Sequence, residues 1–144
     1  MEPQYTLRLL GLECLQAQEL DGDETYLTLN DQRIWAAAPD KMLGTPNQPI
    51  HVSRYDFAAG RKLTVDGWVS IDAFQPKRFI FTGLRGQTLL RLWDADILTS
   101  DDLLGETPIS ARDGAHGQIA VMFARDGAQY RLSYAVDVDI EARS

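Results

Sequence analysis

Gln118-Ile119-Ala120-Val121-Met122-Phe123-Ala124-Arg125-Asp126-Gly127-Ala128-Gln129-Tyr130-Arg131-Leu132-Ser133-Tyr134-Ala135-Val136-Asp137-Val138 reads as two alternating runs joined at Asp126-Gly127. Alternation is the period of a half-buried strand, and Asp-Gly accepts the backbone angles of a tight hairpin turn. The pattern recurs upstream, where short alternating or apolar runs are bounded by turn residues and no stretch keeps a helical period for three turns. The runs that qualify as strands are Tyr5–Leu12, Thr25–Leu29, Arg33–Trp35, Ile50–Arg54, Lys62–Asp72, Arg78–Thr82, Thr88–Trp93, Thr107–Ser110, Gln118–Phe123 and Gln129–Val138. Asn30-Asp31 and Gly83 to Gly86 supply further turns, and Asp66-Gly67 is either a turn or a bulge inside its run. Ala36 to Pro49, broken by Pro39, Gly44, Pro46 and Pro49, is expected to form a long loop or one short helix. The whole predicts an all-β fold, an eight-stranded antiparallel β-sandwich, with residues 1–144 as one domain and a frayed end after Ile140. Loops of a sandwich gather at its two ends, so segments far apart in sequence can meet.

A chain of 144 residues, 44% hydrophobic, is long enough to bury a core without covalent staples. The single cysteine, Cys14, rules out an intrachain disulfide; acids and apolar residues around it, with no base nearby, hold its thiol unreactive. The N-terminus lacks a basic segment followed by an apolar run and cleavage site, and no apolar run is long enough to span a bilayer. The expected location is cytoplasmic, with any membrane contact peripheral. A net charge of -7 without a Lys/Arg cluster excludes nucleic acid as a natural partner, because phosphate binding needs concentrated positive charge.

The charge is lopsided. Leu9 to Gln32 contains Glu13, Glu19, Asp21, Asp23, Glu24 and Asp31, and Leu92 to Ala111 contains Asp94, Asp96, Asp101, Asp102 and Glu106, with no Lys or Arg in either window. Crowded carboxylates repel unless water separates them or a cation bridges them, and oxygen-rich clusters on loops suit calcium. The two windows are read as halves of one site. An EF-hand is excluded: started at Asp94, its fifth position falls on Leu98, its glycine position on Thr99 and its last on Gly105; started at Asp21, the glycine position is Tyr26.

Leu92 to Gly105 resembles the third calcium-binding loop of the C2 domain, a β-sandwich family known for calcium-dependent lipid binding. That loop follows a strand ending in an apolar-Trp-Asp-x-Asp string, with another Asp six residues on and a Gly three after it. Trp93, Asp94, Asp96, Asp102 and Gly105 occupy those places. The upstream window is similar to the family's first loop, where an early Asp precedes Ser-Asp-Pro-Tyr. Here Asp21 stands for the early Asp, and Asp23-Glu24-Thr25-Tyr26 replaces the string, keeping only its Tyr. The resemblance implies a calcium ligand set of Asp21, Asp23, Glu24, Asp94, Asp96 and Asp102, with Glu24 where the family has Asp and Asp23 as the competing ligand. It also implies that Ile97 and Leu98, at the tip of the third loop, enter the lipid headgroup region; the alternative is that both fold back onto the sandwich.

Plainer readings stay open for the third loop: a solvated acidic turn, or a Thr99-x-x-Asp102 cap opening a helical turn that Gly105 ends. Glu13 and Glu19 are read as solvated side chains, Asp31 as a turn residue and Asp101 as a cap or solvated acid. Trp35, Trp68 and Trp93 are expected in core or rim packing, and His51 and His116 to be structural or exposed. No phosphate loop, zinc spacing or serine nucleophile motif is present, so the chain is read as non-catalytic. The leading function is a calcium-binding C2-like module that docks on phospholipid or on a protein partner; the alternative is a calcium-stabilised or metal-free protein-interaction module.

Overall fold

The structure, a computed structural model, describes residues 2–139, so the expected frayed end lies outside the described residues. The chain forms β1 (Tyr5–Gln16), β2 (Thr25–Leu29), β3 (Gln32–Ala36), β4 (Lys41–Met42), β5 (His51–Asp56), β6 (Arg61–Thr64), β7 (Gly67–Ser70), β8 (Ile80–Leu84), β9 (Thr88–Asp94), β10 (Asp102–Ile109), β11 (Gln118–Phe123) and β12 (Gln129–Val138). One sheet runs β11-β12-β1-β5-β6-β7, with β8 on β1 and β4 on β5; the other runs β10-β9-β2-β3. All pairings are antiparallel except the short β4 on β5, so the antiparallel β-sandwich stands, with sheets of eight and four strands.

The alternation that predicted the fold also builds the core. Along β9, Thr88, Leu90, Leu92 and Asp94 are buried while the residues between them are half-buried, because successive side chains leave opposite faces of a strand. Leu27, Leu29, Leu90 and Leu92 from one sheet share a core with Leu7, Leu9, Leu12, Tyr130, Leu132 and Tyr134 from the other. Trp35 joins this core beside Tyr55 and Phe57, whereas Trp68 is exposed and Trp93 half-buried on the outer face of the smaller sheet.

Several boundaries differ from those read in the sequence. Lys62–Asp72 divides into β6 and β7, since Thr64 pairs with Gly67 around a two-residue turn and Gly67 takes a φ of 93°. Arg78–Thr82 divides into a 3-10 turn, Pro76–Phe79, and the strand β8. Ala36 to Pro49 is a loop with no helix, interrupted only by β4. Most consequential, the strand expected at Thr107–Ser110 begins at Asp102, whose register partner is Asp94. The loop between β9 and β10 is therefore short, residues 95–101.

Gly105 owes its place to packing. A Cβ built there would lie 2.3 Å from the Cβ of Phe123, which folds over the strand from β11. Gly105→Ala is expected to overpack this contact and lower the unfolding free energy by about 2 kcal/mol. Urea unfolding checks this: the midpoint falls with the slope unchanged, and an unmoved midpoint refutes the packing account.

Candidate functional site

The two acidic windows meet at one end of the sandwich. Thr25 of β2 pairs with Asp94 of β9, the Glu24 N–H donates to Asp94 Oδ1 at 3.0 Å, and the Ala95 N–H donates to the Glu24 carbonyl at 2.8 Å. Residues 17–24 (the first loop) and 95–101 (the third loop) are thereby stitched side by side. All six proposed ligands, Asp21, Asp23, Glu24, Asp94, Asp96 and Asp102, lie on these loops or on the strand ends beside them, but they sit in different environments.

Asp94 is the last inward-facing residue of β9 and is 2% exposed. Burial pushes its carboxyl up to about 7, and the charges of Asp23, Glu19 and Asp102 add to the rise against the Glu24 N–H. Asp23 is fully buried, and both its oxygens are occupied: Gln18 N–H donates to Oδ2 at 2.8 Å, Glu19 N–H to Oδ1 at 3.0 Å, and the Tyr130 hydroxyl to Oδ2 at 2.6 Å. It braces the first loop against the core.

Asp21 turns outward to Lys41 at 3.3 Å, whose ammonium holds its carboxyl below the usual range. Its carbonyl accepts from His51 Nε2 at 2.6 Å. His51 is buried and packs under Gly22, which takes a φ of 95° and where a Cβ would come within 3.0 Å of Met42 O and 3.1 Å of the His51 ring, so the position requires glycine. The histidine is thus structural, as expected.

Asp96 folds its oxygens back into the third loop, accepting from the Thr99 hydroxyl at 2.7 Å and the Leu98 N–H at 3.0 Å, which keep it ionised. Asp101 accepts from the Tyr26 hydroxyl and, at 3.0 Å, from the Asp96 N–H. The Thr99-x-x-Asp102 cap does not form: Thr99 serves Asp96, and Asp102 has entered β10 opposite Asp94.

Some acids are neutralised by bases remote in sequence. Glu13 pairs with Arg131 at 3.0 Å on the larger sheet, and Asp31 and Glu106 share Arg91, each at 2.9 Å. Glu19, Glu24, Asp94, Asp96 and Asp102 make no ion pair among the described residues. Glu19, read in the sequence as a solvated acid, lines with Glu24, Ala95, Asp96, Ile97 and Leu98 an open groove of about 430 Å³. Its carboxyl is raised by partial loss of water first and by Asp21, Asp23 and Asp96 next. Ile97 and Leu98 do not fold back: they are 91% and 92% exposed, and Leu20, on the first loop, is fully exposed. Leu20 is the residue the sequence reading passed over; its isolation between Glu19 and Asp21 is the signal that could have found it.

The donors are all carboxylate oxygens, the type a hard cation such as calcium takes, and two of the carboxyls, Asp94 and Glu19, are raised by burial first and by neighbouring like charges next. The side chains do not converge into a closed cage, since among the described residues no three His, Cys, Asp or Glu stand close enough to hold one ion. Elsewhere, Cys14 is buried with its thiol raised to about 12, in keeping with an unreactive role.

No family model and no curated protein sequence matches the chain. Among solved structures it is similar in fold to C2 domains. It aligns to a structure described as a C2 domain with a TM-score of 0.38 and 14% identity, covering 94% of this chain and 99% of that one. Against a C2 domain of a plant extended synaptotagmin the TM-score is 0.44 and the identity 8%, covering 96% and 97%. Human GIVD cytosolic phospholipase A2 gives 0.39 and 15% over 93% of this chain, which spans 17% of that enzyme. The likeness is one of chain path and assigns no residue a role; the site stands on its own geometry.

Asp94 titrates higher folded than unfolded, so its contribution to stability is complete below the ordinary carboxylate value of 3.8 and is lost as pH rises through about 7. Asp94→Asn still accepts the Glu24 N–H and cannot ionise. In chelator at about pH 8 the variant should exceed the parent by roughly 2 kcal/mol, with a flatter pH profile between those values. Urea unfolding across that range checks this, and coincident profiles would contradict the raised carboxyl.

Proposed function

We propose that the chain is a non-catalytic C2-like module that binds calcium at the pole shared by its first and third loops and docks there on phospholipid. The observation that carries this reading is the grouping, at one end, of unpaired carboxylates with three apolar tips held in water, Leu20, Ile97 and Leu98. Glu19, Glu24, Asp94 and Asp102 are the carboxylates a calcium ion would recruit, and it would have to draw the two loops together to gather them, because Asp23 and Asp96 spend both oxygens inside their loops and Asp21 is drawn to Lys41. Bound there, calcium supplies the positive charge that cancels their mutual repulsion and that of an anionic headgroup.

The tips set the strength of attachment. Each of Leu20, Ile97 and Leu98 contributes about 1.5–3 kcal/mol when fully removed from water, and less when only partly inserted. Three such side chains give reversible docking, and carboxylates beside them oppose approach to acidic lipid until neutralised. Apolar tips and acidic rim thus act together as a switch.

Sedimentation with phosphatidylserine vesicles tests the proposal. The protein should pellet in millimolar calcium and stay in solution in chelator, and calcium should raise its melting temperature. Replacing Ile97 and Leu98 by Ser should weaken pelleting about tenfold while sparing the thermal shift, whereas Asp94→Asn together with Asp102→Asn should diminish both. A thermal shift without pelleting would favour a calcium-stabilised protein-interaction module; no shift at all would sink the calcium reading.

A further inference from the structure

The third loop presents two apolar side chains to water at its tip, an arrangement that needs something to keep the loop from collapsing onto the sandwich. Its closure is made by Asp101. One oxygen accepts the Asp96 N–H at 3.0 Å, tying the two ends of the segment 96–101 together, and the other accepts the hydroxyl of Tyr26, a β2 residue. Tyr26 is fixed in turn. Its ring stacks on Trp93, with centroids 6.3 Å apart, and carries the Arg33 guanidinium 3.9 Å from its centroid. Trp93 is itself held by a hydrogen bond to the Thr28 hydroxyl at 3.0 Å. A continuous chain of contacts therefore runs from the outer face of the smaller sheet into the loop.

We propose that Tyr26 and Asp101 form a latch that sets the shape of the third loop before any ligand arrives, so that both are positioning residues. With Asp101 and Asp96 engaged in closing the loop, Ile97 and Leu98 are turned to solvent, and Asp102 stands opposite Asp94 at the base of the loop. The bond from a phenol to a charged carboxylate is of the stronger kind, and it sits where Tyr26 is largely shielded from competing water. The Arg33 charge beside the pair favours the ionised Asp101, whose carboxyl lies below the usual range chiefly because of the Tyr26 hydroxyl. The latch exists in the chain alone; only its consequence for docking rests on the calcium and lipid reading above.

Tyr26→Phe removes the hydroxyl and keeps the ring stack, and Thr64→Val removes a hydroxyl that donates to the Gly67 carbonyl and accepts from the Asp66 N–H in the β6–β7 turn of the larger sheet, outside the chain of contacts that reaches the third loop. In calcium-free protein, amide hydrogen exchange at Asp96 should accelerate at least about tenfold in Tyr26→Phe, as expected for loss of one charge-assisted hydrogen bond, with the β2 and β9 ladder amides unchanged. Asp101→Asn, at a half-buried site, should accelerate the same amide, and Thr64→Val should leave it within about twofold. In the vesicle assay, Tyr26→Phe should raise the half-saturating calcium concentration severalfold with the maximal bound fraction retained. Unchanged exchange at Asp96 in Tyr26→Phe overturns the latch, whatever the vesicles show. Accelerated exchange with unaltered vesicle binding keeps the latch and removes its link to docking, and absence of calcium-dependent pelleting in the parent defeats the docking reading alone.

Discussion

Asp94 is the fourth inward-facing residue of β9, following Thr88, Leu90 and Leu92, and the two-residue period that packs the core forces its carboxylate inside as well. The strand cannot slip by one residue to expose it, because that would turn Leu90 and Leu92 out to water. A buried acid is thus a fixed consequence of the register. Its surroundings follow from the same constraint: the Glu24 N–H is brought to it by β2, Asp102 by β10, and Asp23 by the first loop. The pole is organised around a carboxyl that the fold confines there and that no Lys or Arg pairs with among the described residues.

The remaining acids divide between holding and presenting. Asp23 and Asp101 each accept a tyrosine hydroxyl and at least one backbone N–H, and so convert charge into loop shape. Their partners belong to different sheets, Tyr130 to the larger and Tyr26 to the smaller. Each loop is thus tied to its own layer, and the Glu24–Asp94 contact joins the two. Loops held in this way resist collapse, which leaves Leu20, Ile97 and Leu98 standing in water despite the hydrophobic cost.

What could be read from the sequence was local. The period of Gln129–Val138, the Asp126-Gly127 turn and the Asn30-Asp31 turn, whose residues all take positive φ, are properties of short windows, and they sufficed for a sandwich. The meeting of the two acidic windows was legible in the crowding of carboxylates in two stretches without Lys or Arg, and the resemblance of Leu92 to Gly105 to a C2 loop implied the same pairing. The late start given to β10 came from treating Asp101-Asp102 and Gly105 as loop chemistry; pairing with β9 and the pressure of Phe123 on Gly105 outweigh those local preferences. The compensating partners were beyond reach for another reason. Lys41 belongs to the loop-rich stretch, and Tyr130 lies 107 residues from Asp23, so neither contact leaves a trace in a window of sequence.

A buried acid without a countercharge is expensive, and the expense is informative. The burial and like charges that raise Asp94 toward neutrality are relieved by either a proton or a cation in the same space. By linkage, whatever binds the folded pole better than the unfolded chain stabilises the fold by the repulsion it removes. On the calcium reading, protons and the ion then compete for one electrostatic deficit. If the proposed docking holds, it should be favoured where Asp94 is ionised and opposed as acid fills the site, and the pH dependence would then trace to the residue that the core register forces inward.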